Sequence, residues 1–281
     1  MRFSNGFGLF ALALAMGLLG GGIVSAAHAM PVDGGMGLQE AATPVMHDLT
    51  ALHDWLLIAI TAIVGFVLLL LIIVMVRFNS RANPTPSKTT HNTLLEVAWT
   101  VLPVMILVAI AIPSFRLLYK EIVVPEADMT VKAIGYQWYW GYEYPDNGDI
   151  SLISNMVEDA DLEPGQPRLF TADEAMVVPV DTTVRVIVTA ADVIHAFAVP
   201  QFGVKIDAVP GRLNETWFRA EKTGMYYGQC SELCGTRHAF MPINVKVVTK
   251  EEFQAWSEQQ QASAGSDGKV KLAQAAAAEA H

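Results

Sequence analysis

From Trp55 to Val76 the chain runs without one charged side chain, and no other feature restricts its fold as much. At 1.5 Å of rise per residue a helix over that run covers ~33 Å, enough to cross a hydrocarbon core of ~30 Å. A second apolar run, Leu94 to Leu118, carries Pro103, Pro113 and one carboxylate near its start, Glu96. Prolines are tolerated in membrane helices whose neighbours satisfy the freed carbonyls, so this run predicts a kinked helix packed against partner helices. Residues 51–119 thus read as a helical hairpin with spans at about 55–76 and 94–118. Trp55, Phe78, Trp99 and Tyr119 stand near the span ends, where interfacial aromatics sit. The loop 77–93 holds Arg77, Arg81 and Lys88 and no acid, which places it in the cytoplasm and everything after Tyr119 outside.

Export agrees with the opening of the chain. Arg2, the uncharged run Phe7–Val24 and the small-residue site Ala27-His28-Ala29 predict a signal peptide over residues 1–29 and a mature chain from Met30; a third membrane helix is the alternative. Residues 30–50 form a polar, glycine-containing outer segment. The 52% share of hydrophobic residues exceeds the roughly 45–50% of soluble domains, as membrane segments require.

Beyond Pro125 strands and turns replace the long runs. Strands are predicted at Met129–Ile134, Tyr136–Tyr144, Met176–Val180, Thr183–Thr189, Glu215–Arg219, Met225–Gly228 and Ile243–Val248. Turn signals such as Pro145-Asp146-Asn147-Gly148 separate them, and short strands so punctuated make a sandwich or barrel. The acidic stretch Ser151–Glu174 reads as a long surface excursion. The Gln-, Ser- and Ala-rich residues 257–281 are expected to be disordered or processed.

The chemistry is concentrated in Gly228–Pro242, GQCSELCGTRHAFMP. Cys230, Cys234, His238 and Met241 offer two thiolates, an imidazole and a thioether, a set that suits copper. Positions 230, 234 and 238 would share one helical face, but Gly228, Gly235 and Pro242 favour a loop between two strands. A Cys230–Cys234 disulfide is open in an oxidising compartment; zinc would leave Met241 unused; a thioredoxin-like copper chaperone also carries C-x3-C; and a lone Met is often core filler. A second histidine, His195 in DVIHAFAVP, follows the alternating strand Thr182–Thr189.

Cys230–Pro242 resembles the signature C-S-E-[LI]-C-G-x-x-H-x-[FY]-M-P of subunit II of the haem–copper cytochrome c oxidases. Val209-Pro-Gly-Arg-Leu213, Gln137-Trp-Tyr-Trp-Gly-Tyr-Glu-Tyr144 and the paired helices extend the likeness over residues 45–256. The resemblance implies a two-helix transmembrane hairpin followed by a cupredoxin-like Greek-key β-barrel over 120–256. It implies a dinuclear copper centre, CuA, with Cys230 and Cys234 shared, His195 and Met241 completing one copper, and His238 and the Glu232 carbonyl completing the other. It also implies a magnesium ion on the Glu232 side chain, shared with subunit I, and Trp138 as the ring that receives the electron from cytochrome c.

Two residues of this scheme have plain structural readings as well. Thr93-Leu-Leu-Glu96 fits a capping box, while the resemblance puts Glu96 at the cytoplasmic mouth of a proton path; the two are compatible. An aromatic cluster such as Gln137–Trp140 is most often packing. The formal net charge of -10 suits a basic redox partner, with Glu143, Asp146, Asp149 and Asp192 as the docking face, although acidic residues are also ordinary solvated surface. The expected partners are subunits I and III, cytochrome c and membrane lipid, with no nucleic acid, in a bacterial inner membrane with both the mature N-terminus and the C-terminal domain periplasmic. A quinol oxidase subunit would lack the copper ligands, and nitrous oxide reductase carries the loop in a longer soluble chain without the hairpin.

Overall fold

The computed structural model describes residues 34–263. The expected signal peptide at 1–29, the Met30 start and the last part of the tail lie outside them.

Two long helices open the described chain: α1, Pro44–Arg77, and α2, Thr93–Ile122. Thr43 caps α1 by accepting from Met46 N–H at 3.1 Å, with Pro44 where a first-turn proline loses no hydrogen bond. Only Val45 and Met46 of α1, and no residue of α2, are buried within the chain. Helices apolar on every side and left uncovered require a surrounding apolar medium. The cap of α2 is Asn92, which accepts from Leu95 N–H at 3.2 Å, not Thr93. Glu96 still reaches back to the Asn92 amide, at 3.4 Å, but from one position further along than a capping box would place it.

Ten strands follow: β1 Met129–Tyr136, β2 Tyr139–Tyr144, β3 Ile150–Ser154, β4 Met176–Pro179, β5 Val184–Ala190, β6 His195–Val199, β7 Val204–Ala208, β8 Asn214–Phe218, β9 Gly224–Gln229 and β10 Pro242–Val248. They form a five-stranded sheet in the order β3-β2-β1-β5-β8, a three-stranded sheet β4-β10-β9 and a ribbon β6-β7. β5 shows the alternation that builds such a core: Val184, Val186 and Val188 are buried while Arg185, Ile187 and Thr189 are half out. Trp140, Tyr142, Tyr144, Phe197, Met176 and Ile243 fill the space between the layers.

The strand boundaries differ from the sequence reading in three ways. The run 136–144 is not one strand: the chain reverses at Gln137-Trp138, with Tyr136 paired to Tyr139; Tyr136, Trp138, Tyr139 and Trp140 continue across the turn with no Gly, Pro, Asn or Asp to mark it. His195 does not end the preceding strand; residues 191–194 turn and His195 starts β6. Strands β3, β6 and β7, five residues each, add to the strands expected from the sequence.

A last helix, α3, covers 250–263, past residue 256 where the folded domain was expected to end. Thr249 and Glu252 cap it reciprocally, at 2.9 and 3.2 Å. Trp256 packs edge-on against Tyr144, with ring centroids 5.2 Å apart.

The segment before α1, expected as a polar outer segment, docks the hairpin on the barrel. Ala42 N–H donates to the Gln201 carbonyl and Glu221 N–H to the Ala42 carbonyl, each at 3.0 Å, and Thr43 Oγ1 donates to the Phe202 carbonyl at 2.8 Å. On the other helix Trp217 Nε1 donates to the Lys120 carbonyl at 3.0 Å. These bonds fix the barrel's height and tilt over the spans.

Candidate metal centre

The ligand loop is clamped at its base by strand pairing. Gln229 on β9 faces Pro242 on β10, and Cys230 N–H donates to the Met241 carbonyl at 3.2 Å. Twelve residues between two fixed ends must curl, and they do so through a left-handed Gly235 at φ 123° and a short 3-10 turn, His238–Phe240. The sequence expectation of a loop between two strands holds.

The curl brings the donors together. The Cys230 and Cys234 sulfurs lie 3.8 Å apart, and both thiols are free and buried. His195 Nδ1 stands 3.9 Å from Cys230 Sγ, His238 Nδ1 3.6 Å from Cys234 Sγ, and Met241 Sδ 3.5 Å from Cys234 Sγ. The Glu232 carbonyl faces Cys230 Sγ at 3.4 Å, while its side chain is exposed. His195 and Met241 are wholly buried. Core filler would bury apolar edges; here two sulfurs, a thioether and two imidazole nitrogens are aimed at one another, and the thioether has no place in a zinc site.

β6 is pressed against β9 to deliver His195. At Gly228 any Cβ would lie 2.0 Å from the Ala198 carbonyl oxygen, and at Gly135 one would lie 2.8 Å from the His195 ring. The far nitrogen of that ring, Nε2, meets Asp192 Oδ1 at 2.9 Å. Asp192 also accepts the Gln137 N–H at 2.7 Å, so one carboxylate ties the histidine to the tip of the β1–β2 hairpin. At that tip Gln137 Nε2 and Trp138 Nε1 both donate to the Cys234 carbonyl, at 2.8 and 3.2 Å.

The electrostatics suit a cation. Burial pushes the Cys230 thiol up, but hydrogen bonds from the His195 side and from the loop backbone outweigh it and bring it to about 7. Burial, and then the charge on Cys230, push Cys234 up to about 12. Two thiolates this close repel, so a metal charge is needed before both ionise. Burial opposes charge on His195, yet Cys230 and Asp192 on its two sides raise its proton affinity. Asp192 in turn is held below the usual carboxylate range, because His195 and the Val193 and Gln137 amides outweigh its own burial.

The structure therefore gathers His195, Cys230, Glu232, Cys234, His238 and Met241, with Trp138 and Asp192 around them. Glu143, near the end of β2 away from Trp138, pairs with Lys132 on β1 at 2.9 Å. Asp146 accepts the Thr130 N–H at 2.7 Å, and Asp149, with φ 54°, sits in the turn beyond. Glu96 is at the opposite end of α2 from the barrel. Sequence reasoning missed Gln137 and the anchoring contacts of Asp192. The only signal available was an acid three residues before a histidine, which many loops share.

Residues 129–248 match the family "Cytochrome C oxidase subunit II, periplasmic domain", and residues 31–117 match its transmembrane domain. The chain belongs to the cytochrome c oxidase subunit II family. It is 53% identical to a protein of Rickettsia bellii named "Probable cytochrome c oxidase subunit 2", over 86% of this chain and 90% of that one. With cytochrome c oxidase subunit 2 of Cereibacter sphaeroides the identity is 50%, over 82% and 81%. The crystal structure of the periplasmic domain of subunit II of cytochrome oxidase of Bradyrhizobium japonicum is similar at 61% identity, covering 50% of this chain and 99% of that one, with a TM-score of 0.48. As a subunit II chain, the protein places two transmembrane helices in the membrane and a cupredoxin-like domain in the periplasm, with a metal site of CuA character.

Proposed function

We propose that this chain accepts electrons from cytochrome c at a dinuclear copper centre and passes them to the haems of subunit I, where oxygen is reduced to water and protons are pumped. The observation that carries this reading is the pair of unbonded sulfurs 3.8 Å apart with an imidazole Nδ1 beside each. Cys230 and Cys234 would be the shared ligands, His195 and Met241 would complete one copper, and His238 and the Glu232 carbonyl the other. When bound, the pair supplies a one-electron carrier whose charge change is spread over two softly ligated metals.

The chain's own residues make that carrier efficient. The clamped loop and the β6–β9 contact hold the donors in place, so little has to move, and burial keeps water from the sulfurs. Trp138, half-buried and bonded to the Cys234 carbonyl, links the outer surface to a ligand residue in one step. It is the proposed point of electron uptake. The exposed side chain of Glu232 would hold magnesium at the seam with subunit I. Its backbone faces the sulfurs, so one residue spans both sites.

Glu143, Asp146, Asp149 and Asp192 form the proposed docking face for cytochrome c, with the net charge of -10 steering a basic partner. Glu96 would stand at the mouth of a proton path completed by subunit I, its capping bond to Asn92 holding the carboxylate in place. Subunit III completes the complex, in a bacterial inner membrane with both ends of the mature chain periplasmic.

The test is electron paramagnetic resonance with copper counting on the purified full chain. Two coppers per chain and a seven-line hyperfine pattern are expected. One copper with a four-line signal, or none beside an oxidised Cys230–Cys234 pair, would sink the dinuclear reading in favour of a chaperone or a disulfide module.

A further inference from the structure

Between the outer ends of the two helices, directly under the barrel, lies a cleft of about 570 Å³ lined by Asp48, Ala51, Leu52 and Trp55 of α1 and by Pro113, Arg116, Leu117 and Lys120 of α2. Nothing in the electron-transfer reading uses it. We propose that this cleft is a binding site for one anionic phospholipid of the outer leaflet, its phosphate on Arg116 and its upper acyl chains along Leu52, Pro113 and Leu117.

Depth, charge and shape support this occupant independently. Residues 97–115 carry no charged side chain, and at 1.5 Å each they cover ~28 Å, close to the ~30 Å hydrocarbon core. Arg116 therefore emerges where the phosphates begin. Trp55, the first residue of the charge-free run in α1, lines the same cleft and has the ring type that settles at that level. The two cations are not equivalent. Lys120 is engaged by Asp48 and by the Pro44 carbonyl, whereas among the described residues the Arg116 side chain has no ion pair or hydrogen-bond partner. Asp54 and Glu121 do not line the cleft. One uncompensated guanidinium above an apolar trough, in the size range of small-molecule sites, matches a phosphodiester carrying two chains. A guanidinium fork also grips phosphate oxygens in pairs.

The test loads the full chain from vesicles of equal phosphatidylglycerol and phosphatidylcholine and reads the retained lipid by native mass spectrometry in mild detergent. Wild type should retain one phosphatidylglycerol with a preference of about fivefold, the worth of one surface arginine against an anionic headgroup. Arg116→Gln should lose the preference and Arg116→Lys keep most of it, with copper loading unchanged in both as the check on folding. Independently of these variants, brominated phosphatidylglycerol should quench the wild-type fluorescence more than that of Trp55→Phe, and brominated phosphatidylcholine should show no such difference. Equal retention of the two lipids, an unchanged preference in Arg116→Gln, or equal quenching by both brominated lipids overturns the proposal. So does loss of the preference in millimolar inorganic phosphate, which would mark a free-anion site. Loss of subunit I from the Arg116→Gln oxidase with its lipid retained would show that polypeptide covers the cleft, and overturns it as well.

Discussion

Replacing Gly228 by alanine should dismantle the metal centre without touching a ligand. An alanine Cβ would stand 2.0 Å from the Ala198 carbonyl oxygen, whereas real Cβ contacts are essentially never under 3.0 Å. The obstacle is backbone, so β6 and β9 must part by about 1 Å or more. Gly228 is two residues before Cys230, and Ala198 is three after His195. The displacement therefore falls between the two ligands that these strands carry, and metal sites tolerate about 0.2 Å. Such overpacking costs about 1–3 kcal/mol in stability. The assay is copper stoichiometry and the visible spectrum of the full chain, with urea unfolding alongside. Gly165→Ala is the control: its φ of 93° strains an alanine, but nothing lies within 4 Å, so it should lose some stability and keep its copper. If Gly228→Ala retains two coppers at wild-type affinity, the close approach of β6 and β9 does not position His195, and the reasoning fails.

Asp192→Asn should lower copper affinity by about 10–100-fold, as loss of a carboxylate behind a ligating histidine does, measured by competition with a chelator; an unchanged affinity would show that Asp192 serves docking alone. Trp138→Phe removes the Nε1 bond to the Cys234 carbonyl and should slow reduction by cytochrome c in stopped flow with the copper spectrum intact, while salt slows both forms alike. Stability should fall above pH ~10. Burial raises the pKa of Tyr142, Tyr144, Tyr226 and Tyr227, so the folded state resists their ionisation more than the unfolded chain does. A group raised in this way contributes fully below its unfolded value and progressively less as pH rises. Each wholly buried ring, Tyr142 and Tyr144, should cost on the order of 1.4 kcal/mol per pH unit. Urea midpoints at pH 9, 10 and 11 would read this, and a flat profile would contradict it.

Two helices apolar enough to cross a membrane, a domain of short strands after them and a loop of metal-donor side chains were all legible along the chain. Charge-free length and a proline-tolerant apolar run are one-dimensional properties, and a loop that keeps four donors within twelve residues carries its chemistry in its spacing. What the chain order could not show depends on contacts between segments far apart in it. The reversal at Gln137-Trp138 was hidden because turn and strands share one aromatic composition, and it is this reversal that sets Trp138 and Gln137 on the Cys234 carbonyl. The start of β6 at His195 follows from its pairing with β7 and its pressure against Gly228, neither of which leaves a local pattern. Asp192, legible in the sequence only as a candidate docking acid, has its two oxygens on His195 and the Gln137 amide. The dock between 42–46 and the barrel consists mainly of backbone hydrogen bonds, to which side-chain patterns are blind. Only the packed tertiary structure could decide these, because each is an energy shared between two places in the sequence.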